Sequence, residues 1–438
     1  MNADIKNLFS FIKKSPSPFH AVSEITKILH EKGFQKLNED ENWHLETGEK
    51  YYVTRNSSSV LAFALPNVEK LKSAPFLVCA SHSDSPSFKI KENPEIKSAS
   101  SIVLNVEKYG GMLLAPWFDR PLSVAGRVIV SEKTGEDRIS FKEILVDVDR
   151  DLLMIPNLAI HMNRDANEGR RIDVQNEIRP VLSMNERASL LSIVADSAGI
   201  PEQEIISHDL FLYNRTEPVQ WGAENEFISA SKLDDLECAF STLQGFLHST
   251  TGEREKSSKR HIPVYCVFDN EEVGSASRQG ADSTFLSDTL ARIAEKLNWS
   301  GEDYRIALAK SFMISADNAH AVHPNYVSSA DPVNRPKING GIVIKFNAAQ
   351  KYTSDGFSAA CFKEICRRAG VPFQVFTNNS NTAGGSTLGN ISLSHVSISC
   401  VDIGLPQWAM HSPYESAGSK DLEYMIQAIS EFYIGKIV

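Results

Sequence analysis

The sequence has no apolar run approaching the length needed to span a bilayer, because Lys, Asp, Glu or Pro interrupts every such stretch. Its opening, MNADIKNLFSFIKKSPSPFHAV, places charges on both sides of a short apolar patch and lacks the cleavage site of a secretory signal. A cytoplasmic chain with no membrane partner is therefore expected. None of the six cysteines (Cys79, Cys238, Cys266, Cys361, Cys366, Cys400) forms a CxxC pair, which argues against a zinc–thiolate site. Their apolar surroundings fit buried free thiols in a reducing compartment. Basic residues are also in deficit: 45 Lys and Arg against 55 Asp and Glu leave a net charge of -10. Phosphate binding needs a concentrated basic surface, so nucleic acid is not an expected partner. No internal repeat or low-complexity tract is visible.

What is present is a chain of 438 residues with ordinary globular composition, enough for two or three domains. Ser17-Pro18 opens a helix carrying Phe19, Val22, Ile25, Ile28 and Leu29 at helical spacing, with a stop at Gly33. Strand-like runs follow at 51–55, 60–66 and 75–81, the last almost wholly apolar, as expected of a strand buried on both faces. From about 92 to 228 short alternating runs and many turn residues suggest antiparallel structure. Within it, Ser183 and Glu186 read as a capping box leading into RASLLSIVADSAG. After 230, helical and strand-like segments alternate to the end. The fold class expected is α/β, with a mostly parallel sheet covered on both faces. A discontinuous catalytic domain would span 1–91 and 229–438, with a β-rich domain inserted over 92–228.

Ligands in open α/β sheets bind outside the carboxyl ends of the strands. The polar residues that follow the buried strands are of metal-ligand type: His82-Ser83-Asp84, Glu271-Glu272, Asp317-Asn318-Ala319-His320 and, a short distance on, Met410-His411-Ser412. Alone, a His after a strand or an adjacent pair of acids has a bland explanation. Four such groups at the ends of one sheet would cost several kcal/mol apiece to bury without a cation. Asp84, two residues from His82 on an extended segment, is placed to accept from the far nitrogen of a metal-bound His82. Glu271 and Glu272 point different ways, so one can bind metal while the other takes a proton.

The chain resembles the M18 aminopeptidases, whose best-known members are the aspartyl aminopeptidases. The matching stretches run from PSPFHAV to MHSPYE and include SHSDSPSFKIK (81–91), SKLDDLECA (231–239), DNEEVGS (269–275), SADNAHAVHPNY (315–326) and GLPQWAMHS (404–412). The resemblance implies a two-metal exopeptidase in which His82 and Asp317 hold one ion, Glu272 and His411 the other, and Asp234 bridges both. It implies Glu271 as catalytic base, with a bridging water or hydroxide attacking the first peptide bond of substrates with a free N-terminus. Mixed His and carboxylate donors suit two zinc ions, and manganese or cobalt could take the same places. The resemblance also implies a homo-oligomer, a dodecamer built from dimers through the inserted domain.

Lys345, in the strand IVIKF, reads either as a sheet-edge lysine with its head in water or, by resemblance, as the group that binds an acidic substrate side chain. Tyr352 is a further pocket candidate. His161 reads as a buried core histidine or, by resemblance, as one that reaches a neighbouring subunit's active site. His320 and His323 fit structural roles once five ligands are assigned. Two departures from the family pattern stand out: Asp235, where the family has Asn beside a frequent cis peptide, and Asn379–Thr387, which lacks an Asp-x-x-Cys-Gly pattern. The alternatives are a neutral or broad specificity, a related carboxypeptidase or deacylase, and a scaffold without activity. The intact acid and histidine set argues against the last.

Overall fold

A computed structural model of the chain describes residues 1–68, 71–133, 139–251 and 260–435. Its framework is a nine-stranded mixed sheet. The four strands at its centre, Ile262–Phe268, Phe76–His82, Phe312–Ala316 and Ser399–Gly404, are parallel neighbours in that order. Five of the eight strand pairings are parallel and three antiparallel. The central strands are apolar throughout because both faces are covered. Phe76, Val78 and Ala80 enter one core with the helix Phe285–Lys296, while Leu77 and Cys79 enter another with the helices Leu233–Thr250, Gly356–Ala369 and Asp421–Phe432. Parallel alignment brings the carboxyl ends of these strands to one edge, and the polar residues that follow them converge there.

A second sheet of six strands spans residues 87–214 and has its own core around Phe88, Leu104, Trp117, Val124 and Leu210. All its pairings are antiparallel. Its limits differ from the expected 92 and 228. The strand Ser87–Ser98 already belongs to it, and Val219–Trp221 and Phe227–Ala230 join a third, five-stranded sheet with Glu415–Gly418, Pro406–Trp408 and Ala319–His320. The capping box at Ser183 is also corrected. Ser183 ends a strand paired with Ile102, and the helix begins at Leu190, where the Ser189 hydroxyl accepts from the Ser192 amide. Helices at Ala3–Lys13 and Gly301–Lys310 were not anticipated. All six cysteines are buried and free. Among the described residues no helix is long and apolar enough to cross a membrane.

Candidate metal centre

His82 closes the Phe76–His82 strand and is 1% exposed. Its Nδ1 lies 3.1 Å from the Asp84 main-chain oxygen, a contact that makes Nδ1 the donor and aims Nε2 inward. Nε2 stands 3.4 Å from Asp234 Oδ1. From the other side, His411 Nε2 stands 3.5 Å from Asp234 Oδ2 and 3.5 Å from Glu272 Oε2. One carboxylate therefore offers a different oxygen to each of two imidazoles. Three clusters result, His82–Asp234–Asp235–Asp317, Asp234–Glu272–His411 and His82–Glu271–Glu272, each with its ligand atoms within 4.8 Å of one another. Asp234 belongs to the first two. His82 is enclosed, whereas the His411 side chain is 34% exposed, so the second cluster faces the opening.

The donor set fits divalent cations. Asp234 Oδ1 and Glu272 Oε1 are buried carboxylate oxygens without a hydrogen-bond partner, a costly arrangement unless a cation supplies one. Burial, reinforced by Asp234, Asp84 and Glu271, pushes Glu272 well above the usual carboxylate range. Burial and the neighbouring Asp317, Asp84 and Asp234 push Glu271 up to about 8. Such an excess of enclosed acid is what positive ions would relieve.

The comparisons with known proteins agree with this chemistry. The family described as Aminopeptidase I zinc metalloprotease (M18) matches residues 11–433. The chain belongs to the M18 aminopeptidases. A relative from Clostridium acetobutylicum described as a probable M18 family aminopeptidase 2 is 46% identical, covering 98% of each chain. Among solved structures, a chain of the Ape4 and Nbr1 complex superposes with a TM-score of 0.94 at 34% identity, over 99% of this chain and 87% of that one. The S. cerevisiae mApe1 dodecamer matches at 0.83 and 26% identity, over 98% and 95%. The protein is thus a metal-dependent aminopeptidase.

Within this M18 chain, two alternatives from the sequence need correction, and Asp84 has more partners than expected. Its Oδ1 is 3.4 Å from His82 Nδ1. That carboxylate also accepts the Glu271 and Glu272 amides, each at 3.1 Å, and the Tyr109 hydroxyl at 2.7 Å. Asp84 thereby orients the turn carrying both glutamates. Lys345 is not on a sheet edge: its strand lies between Ser399–Gly404 and Phe373–Thr377, and it is 3% exposed. Its ammonium donates to the Asp317 and Asn318 main-chain oxygens at 2.8 and 3.3 Å, stands 3.4 Å from Asp317 Oδ2, and lies 5.3 Å from the Tyr352 ring centroid. His161 is exposed, in the short turn Ile160–Met162, so it is no core histidine.

The remaining candidates fall as follows. Tyr352 is buried and lines, with Lys345, His320, Phe376 and Gly385–Thr387, a cleft of about 250 Å³ that opens onto these clusters. His323 packs on Tyr326 and Trp408, and neither it nor His320 joins a cluster. The Asp234–Asp235 peptide is cis. Asp235 Oδ2 accepts the His82 amide at 3.0 Å, and burial together with Asp317 and Asp234 raises its pKa well above the usual range.

Glu415 and Tyr109 escaped the sequence reading. Glu415 is buried, and its two oxygens accept the His411 amide at 2.8 Å and the Asp234 amide at 2.9 Å. Its only signal was a position four residues after His411. Tyr109 ends the strand Ser101–Tyr109 of the second sheet, and nothing in its spacing marks it.

Proposed function

We propose that this aminopeptidase works with two divalent cations, zinc by preference, held by His82 and Asp317 on one side, Glu272 and His411 on the other, and Asp234 between them. The observation that carries this reading is the Asp234 carboxylate, whose two oxygens face the two imidazole Nε2 atoms at 3.4 and 3.5 Å. Bound cations of this kind polarise a carbonyl and make water a nucleophile near neutral pH. Glu271, in the turn fixed by Asp84, takes the proton of the attacking water and delivers it to the leaving amine nitrogen. In an exopeptidase the free α-amine of the substrate must reach a cation or an acidic side chain of the cleft, which limits attack to the first peptide bond. Glu271→Gln provides the test. Hydrolysis should drop about 10²–10⁴-fold, the usual range for a lost general base, with metal content unchanged. Wild-type rates in the loaded variant would remove Glu271 from this role.

For the first residue of the substrate, Lys345 supports an acidic side chain, since its ammonium lines the cleft and Asp317 keeps it charged against burial. A neutral or broad preference is the second reading, favoured because the same ammonium is already engaged by Asp317 and Asn318. A panel of Asp, Glu, Leu, Lys and Ala substrates separates the two. Equal rates for Leu and Asp would exclude the acidic preference. A homo-oligomer built as in the mApe1 dodecamer is the proposed assembly, with exposed His161 able to reach a neighbouring subunit. Six buried free thiols support a cytoplasmic location.

A further inference from the structure

The two halves of the centre are not supported alike. The His82 and Asp317 half is braced by Asp84, Asp235 and Lys345: the Asp84 main-chain oxygen faces His82 Nδ1, Asp235 accepts the His82 amide, and Lys345 holds Asp317. The Glu272 and His411 half leans on the second sheet. Where the strand Ser101–Tyr109 ends, residues 109–113 meet Glu272 and His411 at three points and Asp84 at a fourth. The Tyr109 hydroxyl donates to Asp84 Oδ2 at 2.7 Å, and that same Oδ2 receives the Glu272 amide. Gly110 has φ +79°, and a Cβ there would lie 3.2 Å from Glu272 Cβ and 3.3 Å from its main-chain oxygen. The Gly111 main-chain oxygen accepts from His411 Nδ1, and the Leu113 amide donates to the His411 main-chain oxygen at 3.1 Å.

Each contact has a chemical consequence. Anchoring Nδ1–H of a ligating histidine on a carbonyl fixes the tautomer and directs the Nε2 lone pair, here toward Asp234 and Glu272. His411 needs such a brace more than His82 does, because its backbone is left-handed at φ +67° and its ring is partly open to solvent. Glycine at 110 allows the strap to approach Glu272 where any side chain would crowd it. The Tyr109 hydroxyl is in turn held by the Asn270 side-chain amide at 2.8 Å, and its ring packs edge-on against Phe211 at 5.4 Å. The ring is therefore secured independently of the hydroxyl.

We propose that residues 109–113 act as a positioning strap through which the second sheet sets the cation affinity of the Glu272 and His411 half, which it touches directly, more than that of the His82 and Asp317 half, which it reaches only through Asp84. The inference rests on the two-cation reading above. Tyr109 and Gly110 are positioning residues: they act on Asp84 and Glu272 and touch no reacting atom. Removing an outer partner of a metal ligand typically lowers affinity about 10–100-fold.

The test is a chelator-competition titration of the metal-free full chain with zinc. Wild type should show two sites per chain. Gly110→Ala should weaken one affinity about 10–100-fold and leave the other unchanged; Tyr109→Phe, which keeps the ring and removes the hydroxyl, should weaken the same affinity about 10–100-fold and the other by less. Added zinc should restore hydrolysis in both variants. In a His411→Ala background, which removes the braced half, Tyr109→Phe should alter the affinity that remains by less than it alters the weakened affinity in the wild-type background. Unchanged affinities in Tyr109→Phe, or equal weakening of both sites, would overturn the strap; should Gly110→Ala fail to fold, Tyr109→Phe alone decides. A wild type that takes a single ion would instead overturn the two-cation reading and the strap with it. Two wild-type sites that ignore Tyr109→Phe would overturn the strap alone.

Discussion

Glu415→Gln is a near-isosteric change with a sharply defined consequence. Glu415 uses one carboxylate oxygen for the His411 amide and the other for the Asp234 amide, and it is only 1% exposed. A glutamine presents one acceptor and one NH2, so one of the two main-chain donors must face another donor. Leaving a buried donor unsatisfied costs about 1–3 kcal/mol, and 1.4 kcal/mol corresponds to a tenfold change in an equilibrium constant. Both amides belong to candidate ligands, so the loss should fall on metal affinity as well as on stability. Zinc affinity measured against a chelator should drop about 5–100-fold. The metal-free protein should also unfold at lower denaturant. If Glu415→Gln matches wild type in both assays, the double-acceptor role given to Glu415 fails.

Burial lowers the His20 pKa to about 4, against an ordinary 6.5, while its Nδ1 sits 2.8 Å from the Ser17 hydroxyl. The unfolded chain then binds the proton more readily than the folded one. Stability is full above pH 6.5 and is lost as pH falls toward 4, by no more than about 3 kcal/mol. Denaturant titrations at pH 7 and pH 5 should show a smaller pH effect in His20→Gln; an identical one would refute the assignment. Asp235→Asn should keep zinc affinity and hydrolysis within about threefold, because an amide oxygen can accept the His82 amide as Asp235 Oδ2 does. A larger loss would mean that Asp235 works as a carboxylate. Lys345→Met removes a buried charge that braces Asp317, so it should depress hydrolysis of every substrate, and of Asp and Glu substrates most. A uniform loss across the panel would assign Lys345 to Asp317 alone.

The catalytic sheet was legible because its central strands are buried on both faces and read as apolar runs, and because candidate ligands follow them at once. His82 closes one such run, Glu271 and Glu272 follow Phe268 closely, and Asp317 follows Ala316. Asp234 was not legible from spacing, since an acid at the start of a helix ordinarily caps it; only the family resemblance singled it out. Glu415 and Tyr109 were invisible for a different reason. Each reaches the centre by folding from another sheet, and no local pattern records that convergence. Ser183 misled because a capping-box pattern competes with strand pairing, and the pairing with Ile102 wins. Lys345 misled because its charge suggested an edge, whereas Asp317 and two main-chain oxygens satisfy it inside the sheet.

The most direct test of the account is zinc-edge anomalous diffraction from crystals of the zinc-loaded protein. Two peaks per chain are expected, about 3.5–4 Å apart as in two-metal hydrolytic sites. Asp234 should lie between them, with His82 and Asp317 on one ion and Glu272 and His411 on the other. A single peak, or two peaks that do not share Asp234, would contradict it.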